Sequence, residues 1–233
     1  MRALLIPVKD LHHAKQRLAT ILTQEERTGL AKAMFDDFCA VIHASHGADR
    51  IFLTSSYEPA IEKAQSLGWE VLREETQVSE SASVDAASLW CQNHGVTSLL
   101  RLPIDLPLLE STDVEWLFGH AQAAPSMTIV PSRDGTGTNA LMRTPPTLFP
   151  SHFGQNSFPR HMEEAQQRNS HCTVLRHLRL EMDLDDESDL RAYLTTPGLP
   201  NGTRKWLENK VGKQLAGRVG YAFSDPFRSH PRV

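Results

Sequence analysis

The chain has 233 residues, 40% of them hydrophobic and 22% charged, with a formal net charge of -4. That length supports one sizeable α/β core, and the acidic balance excludes broad salt-driven binding to nucleic acid, which needs a basic face. No apolar run approaches the ~20 residues that span a bilayer, and three isolated cysteines, Cys39, Cys91 and Cys172, cannot form a disulfide framework, so the expected setting is a reducing cytoplasm with neither membrane nor nucleic acid as partner.

Ala3–Val8 is a continuous apolar run followed by a polar loop, the pattern of a central parallel strand; it is too short for a signal-peptide core. A helix is predicted to open near Ala14-Lys15-Gln16-Arg17-Leu18. From Gln24 to Ser45 the residues Leu30, Met34, Phe38, Val41 and Ile42 recur at helical spacing on one face. There follow a strand at Ile51–Thr54, a helix at Pro59–Leu67 stopped by Gly68, and a strand at Trp69–Leu72. Next come a helix from a Ser83 cap to His94, a strand at Ser98–Leu102, a helix at Thr112–Ala123 and a strand at Met127–Pro131. This strand–helix repetition argues for a mostly parallel sheet with helices on both faces.

The pattern then changes. Asp134-Gly135 sits in a turn, and Asn139–Arg143 follows as a strand. Beyond it are a helix at Phe158–Arg168, a strand at Thr173–Met182 and a helix at Asp186–Leu194. Thr195 to Gly202 is dense in Pro and Gly and reads as a linker. Residues 203–233 carry seven Lys/Arg against Glu208 and Asp225, with a short basic helix near Lys205–Leu215. The expected organisation is therefore a domain over residues 1–195 and a linker with a basic extension over 196–233, the extension being dispensable for chemistry.

Several segments carry candidate chemistry. Lys15 and Arg17 fall in the first turn of a predicted helix, where cations oppose the helix dipole unless an anion binds; the functional reading is a phosphate site, the bland one two solvated side chains. On the phosphate reading, removing either cation leaves the fold intact. Asp105, between Pro103 and Pro107, follows a strand, where ligands of open α/β sheets bind; it contacts metal or substrate, or else only bonds its turn. Gly135-Thr136-Gly137-Thr138-Asn139 suits either an anion cradle or a plain hairpin. Ser157-Phe158-Pro159 is a helix start that can receive a phosphate. Leu178, Leu180, Met182 and Leu184 alternate with polar residues, which predicts a strand whose other face carries Asp183 and Asp185, about 6.6 Å apart, a spacing suited to Mg²⁺. The competing reading has Asp185 or Asp186 capping the next helix. His43 and His46 lack a third ligand for zinc, and no nucleophile elbow, Walker loop or Gly-x-Gly-x-x-Gly is present.

Taken together, seven segments resemble one family. They are Pro7-Val8-Lys9; Ala14-Lys15-Gln16-Arg17-Leu18; Glu26-Arg27 with Ala33-Met34 and Asp36-Asp37; Leu102-Pro103-Ile104-Asp105-Leu106-Pro107; Gly135-Thr136-Gly137-Thr138-Asn139-Ala140-Leu141; Phe153-Gly154 with Ser157-Phe158 and His161; and Asp183-Leu184-Asp185 with Asp189-Leu190. The chain is similar to the guanylyltransferases of deazaflavin coenzyme F(420) biosynthesis, which act on 2-phospho-L-lactate, phosphoenolpyruvate or 3-phospho-D-glycerate. The resemblance implies a nucleotide-diphospho-sugar transferase fold of the glycosyltransferase-A kind, GTP as donor, a small phosphorylated carboxylic acid as acceptor, and Mg²⁺ on Asp105, Asp183 and Asp185. It further implies acceptor contacts at Thr138, Gly154, Ser157 and His161, and places Lys9, Lys15 and Arg17 as cations for the transfer. Asp85 departs from the pattern, standing where members commonly have Asn. The alternatives are another nucleotidyltransferase of this fold, such as a molybdopterin guanylyltransferase or a sugar-phosphate cytidylyltransferase, or a nucleotide-binding protein without activity. The first loop lacks the glycines usual in the former, and a binding module would not need three acidic positions.

Overall fold

The computed structural model of the chain describes residues 1–196 and 201–210; the linker core at 197–200 and the tail beyond 210 lie outside them. Strand β1 (Arg2–Pro7) is apolar after Arg2 because both faces of Ala3 to Ile6 are buried. Leu4 and Ile6 join one core with helix α1 (Gln24–Ala44), helix α2 (Glu58–Ser66) and helix α4 (Ser111–Gly119). Ala3 and Leu5 join a second core with Val84, Ala87 and Cys91 of helix α3 (Glu80–Asn93).

Beside β1 lie β2 (Arg50–Ser55) and β4 (Ser98–Arg101), both parallel to it, and β3 (Glu70–Arg73) extends the sheet beyond β2. On the other side come β6 (Thr138–Thr144), β5 (Ser126–Pro131) and β7 (His171–Val174), giving the order β3-β2-β1-β4-β6-β5-β7. Only β6 runs against the rest, entering antiparallel between β4 and β5 through the turn at Asp134-Gly135. Helix α5 (Ser157–Gln167) covers the β5–β6 end with Ala165 against Met127, Ile129 and Leu141. The sheet is mixed and predominantly parallel with helices on both faces, as the periodicity indicated.

Three local expectations are corrected. The segment at 14–18 is two three-residue 3-10 turns, Leu11–His13 and Gln16–Leu18, joined by Lys15 in the left-handed region at φ 54°. No helix N-terminus exists there, so the dipole argument for a phosphate site falls. The strand expected over Thr173–Met182 ends at Val174; one helical turn, α6 (Leu178–Glu181), replaces its second half. Leu178 is exposed while Leu180, Met182 and Leu184 are buried, so the alternation that suggested a strand holds only from residue 180. Finally, α3 begins three residues before Ser83, with Ser79 as its cap accepting from the Ala82 amide at 3.1 Å.

After helix α7 (Glu187–Thr195) the chain returns to α1 as helix α8 (Gly202–Lys210). Leu207 is fully buried in a satellite core with Leu18, Leu22, Leu30, Met34, Leu190 and Tyr193. Gly29 of α1 is the seat for Trp206: a Cβ there would stand 2.6 Å from the indole ring. Asp37 accepts from the backbone amides of Gly202 and Thr203 at 2.9 and 2.7 Å, satisfying the free N-terminal donors of α8. The first turns of the basic extension are thus packed on the domain. No helix among the described residues is long and apolar enough to cross a membrane.

Candidate active site

A cleft of about 1020 Å³ opens over the carboxyl ends of β1, β4 and β5 and the start of β6. β2 and β4 flank β1 on opposite sides, so the cleft sits where the strand order reverses, the usual ligand position in open α/β sheets. The loops after β1 and β4 deliver Lys9, Lys15, Arg17 and Asp105 to it. The loops around β5, β6 and α5 deliver Thr138, Gly154 and Ser157, and the segment after α6 delivers Asp183 and Asp185.

Lys15 is the centre of the acidic end. Its Nζ donates at 2.9 Å to Asp105 Oδ2 and at 2.9 Å to Asp185 Oδ1. Burial pulls the ammonium pKa down, but the two carboxylates outweigh it and hold the pKa above the usual lysine range. Asp183 and Asp185 reach Asp105 because the extended segment behind α6 docks there, with the Leu184 amide donating to the Asp105 carbonyl at 3.1 Å. Burial, reinforced by Asp105 and Asp185, pushes the Asp183 carboxyl up to about 7. Asp185 is not the cap of α7. Asp186 is, accepting from the Ser188 and Asp189 amides at 2.8 and 3.1 Å, which leaves the Asp185 carboxylate to Lys15. Among the described residues no three His, Cys, Asp or Glu side chains stand close enough to hold a metal ion between them; Asp105 and Asp185 converge on the ammonium. Lys9 and Arg17 line the cleft exposed, and neither forms a salt bridge among the described residues.

At the other end, the Asp134-Gly135 segment is both a hairpin turn and a cleft wall. Asp134 accepts from the Thr136 amide at 2.9 Å, and Thr136, Gly137 and Thr138 face the cleft. Gly154 lies at φ 114°, a conformation side chains rarely adopt, which lets the loop turn into α5. Ser157 Oγ and Thr138 Oγ1 are 3.1 Å apart, and both residues line the cleft. His161 is fully buried behind them. Its Nε2 accepts from the His152 amide at 2.9 Å, so Nδ1 carries the proton and donates to Thr138 Oγ1 at 3.1 Å. The imidazole orients that hydroxyl from behind and has no path of its own to the cleft, so the expectation that His161 itself contacts the acceptor is corrected.

Two residues that the sequence did not single out also line the cleft. Arg101, the last residue of β4, is 6% exposed. Arg133 is paired with Asp189 at 2.8 Å. A signal for Arg101 was present: it is the one charge in the run Ser98-Leu99-Leu100-Arg101-Leu102, and charges are rarely buried without a purpose.

The family described as guanylyl transferase CofC like matches residues 1–212. The chain belongs to that family. The phosphoenolpyruvate guanylyltransferase of Rubrobacter xylanophilus is 32% identical, covering 86% of this chain and 97% of the relative. The 2-phospho-L-lactate guanylyltransferase of Methanothermobacter thermautotrophicus is 34% identical (80% and 81%). The 3-phospho-D-glycerate guanylyltransferase of Colwellia psychrerythraea is 31% identical (83% and 92%). Among solved structures, a nucleotide-diphospho-sugar transferase from Desulfovibrio desulfuricans G20 superposes with a TM-score of 0.74 at 14% identity, covering 91% of this chain and 97% of that one. A 4-diphosphocytidyl-2C-methyl-D-erythritol synthase from Anaerococcus prevotii gives 0.58 at 7% identity (84% and 96%). These two show the fold. This CofC-like protein is an enzyme, a nucleotidyltransferase of the guanylyl-transferring kind.

The departure at Asp85 is structural in this CofC-like chain. Its carboxylate accepts from the Ser151 amide at 3.0 and 3.1 Å and faces Arg143 at 3.5 Å, outside the cleft. It pins the start of the loop that carries Phe153 and Gly154, and so acts on the cleft at one remove.

His161 yields a stability prediction. Burial first, then the charges of Arg143, His152, Arg101 and Arg160, push its pKa down to about 3. The neutral ring therefore stabilises the fold at pH values above the unfolded pKa of ~6.5, and that contribution is lost as pH falls toward the folded value. By pH 4.5 the loss is expected to reach roughly 2–3 kcal/mol. Denaturant titrations of wild type and His161→Asn across pH 4.5–7.5 check it. Parallel curves for the two proteins would contradict it.

Proposed function

We propose that this guanylyltransferase moves GMP from GTP onto the phosphate of a three-carbon phospho-acid, releasing pyrophosphate, as a step of coenzyme F(420) biosynthesis. The observation that carries the reading is the cleft's division. One end holds exposed cations beside a carboxylate pair, suited to a triphosphate; the other holds hydroxyls and a glycine turn, suited to a small anion. The names of the relatives, all guanylyltransferases of three-carbon phospho-acids, support the acceptor class.

The chemistry asks little covalent work of the protein. An oxygen of the acceptor phosphate attacks the α-phosphorus of GTP in line, the bond from that phosphorus to the bridging β-oxygen breaks, and pyrophosphate leaves with the electron pair. A phosphate monoester is mostly dianionic at neutral pH, so no general base is required. What is required is to hold two polyanions together and stabilise the charge that develops on the leaving group. Lys9 and Arg17 are free cations for the triphosphate, and Lys15 joins them when it lets go of Asp105 and Asp185. Thr138, Gly154 and Ser157 receive the acceptor. No three carboxylates among the described residues stand close enough to hold a metal by themselves, but Mg²⁺ takes one or two carboxylates plus phosphate oxygens; Asp105 and Asp185, which share the Lys15 ammonium here, would hold it together with the triphosphate, with Asp183 beside them, and it would supply charge stabilisation to the phosphates.

The test is direct. Purified protein with GTP, Mg²⁺ and each acid in turn should release pyrophosphate and form a guanylylated acid identifiable by mass, and GTP should be used in preference to ATP, CTP and UTP. Equal release from ATP would overturn the donor assignment. No release with any of the three acids would overturn the acceptor class.

A further inference from the structure

We propose that Arg101 is the receptor for the acceptor's carboxylate, with Glu80 occupying the guanidinium in its place until the acceptor binds; this rests on the functional reading above.

A phospho-acid brings two anionic groups into the cleft. Its phosphate must face the donor's α-phosphorus, so its carboxylate needs a cation elsewhere. Lys15 is engaged with Asp105 and Asp185, and Arg133 with Asp189. Lys9 and Arg17 stand exposed at the triphosphate end. Arg101 is different in place and in form. It rises from the end of β4 into the acceptor end of the cleft, where Nη1 donates to the Thr138 carbonyl at 3.2 Å and the guanidinium lies 4.1 Å over the Phe153 ring, one residue from Gly154. Those contacts hold the fork flat and aim it. A planar, pre-aimed guanidinium matches a carboxylate through two parallel hydrogen bonds, which a lysine cannot do.

The fork is also incompletely used. Arg101 Nε is buried and has no hydrogen-bond partner; Arg27 and Arg204 carry the same unpaired Nε, but of the three only Arg101 lines the cleft, where an incoming group can satisfy it. Its Nη2 goes to Glu80, the first residue of α3, which itself lines the cleft and is only part-buried. An incoming carboxylate can replace Glu80 at Nη2 and satisfy Nε at the same time. The exchange keeps the buried cation paired throughout, and Glu80 turns to solvent.

The experiment measures selectivity as well as activity. Wild type and Arg101→Gln are assayed for pyrophosphate release with the best phospho-acid and with the phosphate monoester that lacks its carboxylate. A lost charge-assisted pair should raise the acceptor KM by about 10–100-fold, leave the GTP KM within about threefold, and collapse the preference for the acid over the decarboxylated analogue. Arg101→Lys, which keeps the charge and most of the packing, should raise acceptor KM by an intermediate factor and serves if the glutamine variant does not fold. Glu80→Gln should lower acceptor KM, because the competing carboxylate is gone. Equal losses with acid and analogue, or a parallel rise in GTP KM, would show that Arg101 only braces Thr138 and Phe153 and would overturn the assignment. A rise in acceptor KM in Glu80→Gln would overturn the exchange. Failure of wild type with every phospho-acid would instead bring down the functional reading itself, so the two failures are separable.

Discussion

Replacing Lys15 with methionine is expected to damage both turnover and stability. The side chain keeps its length and loses its charge. Asp105 and Asp185 are then left facing each other and Asp183 with no ammonium between them. Removing one partner of a buried ion pair typically costs ~3–5 kcal/mol, but Asp185 is 40% exposed and water screens part of the repulsion, so about 1–3 kcal/mol is expected. The sign in pH follows from the raised lysine pKa: the stabilisation is fully present below the ordinary value of 10.5 and is lost only as pH rises through the higher folded value. At neutral pH the whole effect should therefore be visible in a urea titration of the ligand-free protein. Pyrophosphate release should fall by about 10²–10³-fold, the usual cost of losing one preorganised charge. Added Mg²⁺ should raise the melting temperature of the variant more than that of wild type, because a dication can then settle on carboxylates that no ammonium occupies. Arg17→Met, in contrast, should weaken GTP binding and leave the apo-protein as stable as before, since Arg17 is exposed and bridges nothing. A Lys15→Met protein of unchanged stability would show that the two aspartates do not depend on the ammonium.

Ending the chain at Thr196 is expected to be severe. The basic extension read as dispensable from composition, yet its helix α8 supplies Leu207 to the satellite core and covers Leu22, Leu30 and Met34 of the α1 side. Removing one fully buried leucine costs about 2–5 kcal/mol, and the cut also uncovers its neighbours and frees Asp37 of three hydrogen bonds. The damage should reach the cleft, because Asn201 Nδ2 donates to the Pro107 carbonyl at 2.7 Å and so braces the turn that carries Asp105. A chain ending at Gly212, where the family match stops, keeps all of these contacts and should melt with the full-length protein. Thermal unfolding and pyrophosphate release on the two truncations check this. A chain ending at Thr196 that melts and turns over like wild type would show that α8 adds nothing to the domain.

How far these features could be read beforehand depended on how local their causes are. β1 declared itself because burial on two faces demands an unbroken apolar run. Asp105 declared itself through a strand end and two flanking prolines. The pairing of Asp183 with Asp185 was legible as spacing, but on the wrong element: Leu178 mimicked the strand period although it faces solvent, and a helical turn stands there. Lys15 was legible as a cation but its pairing was not, because its partners lie 90 and 170 residues away and no window along the chain contains them. His161 was read as an acceptor contact, and only packing shows that it lies buried behind Thr138 and reaches the cleft through that hydroxyl. The choice between Asp185 and Asp186 as cap turned on where α7 begins, which either residue permits, and Asp186 is the cap because it stands one residue before the first turn.

The return of α8 to α1 also sets an order of events during synthesis. The bond from Gly202 to Asp37 spans 165 residues. A ribosome therefore releases the whole of α1 long before the helix that covers its outer side exists. Until then Leu22, Leu30 and Met34 are bare on the emerging chain, next to a glycine notch with nothing in it. Contacts so distant in sequence form late and slowly, and apolar surface left open in the meantime is what holdase chaperones grip and what drives neighbouring nascent chains together. Yield in a cell should accordingly depend on how soon α8 follows the rest of the domain out of the ribosome.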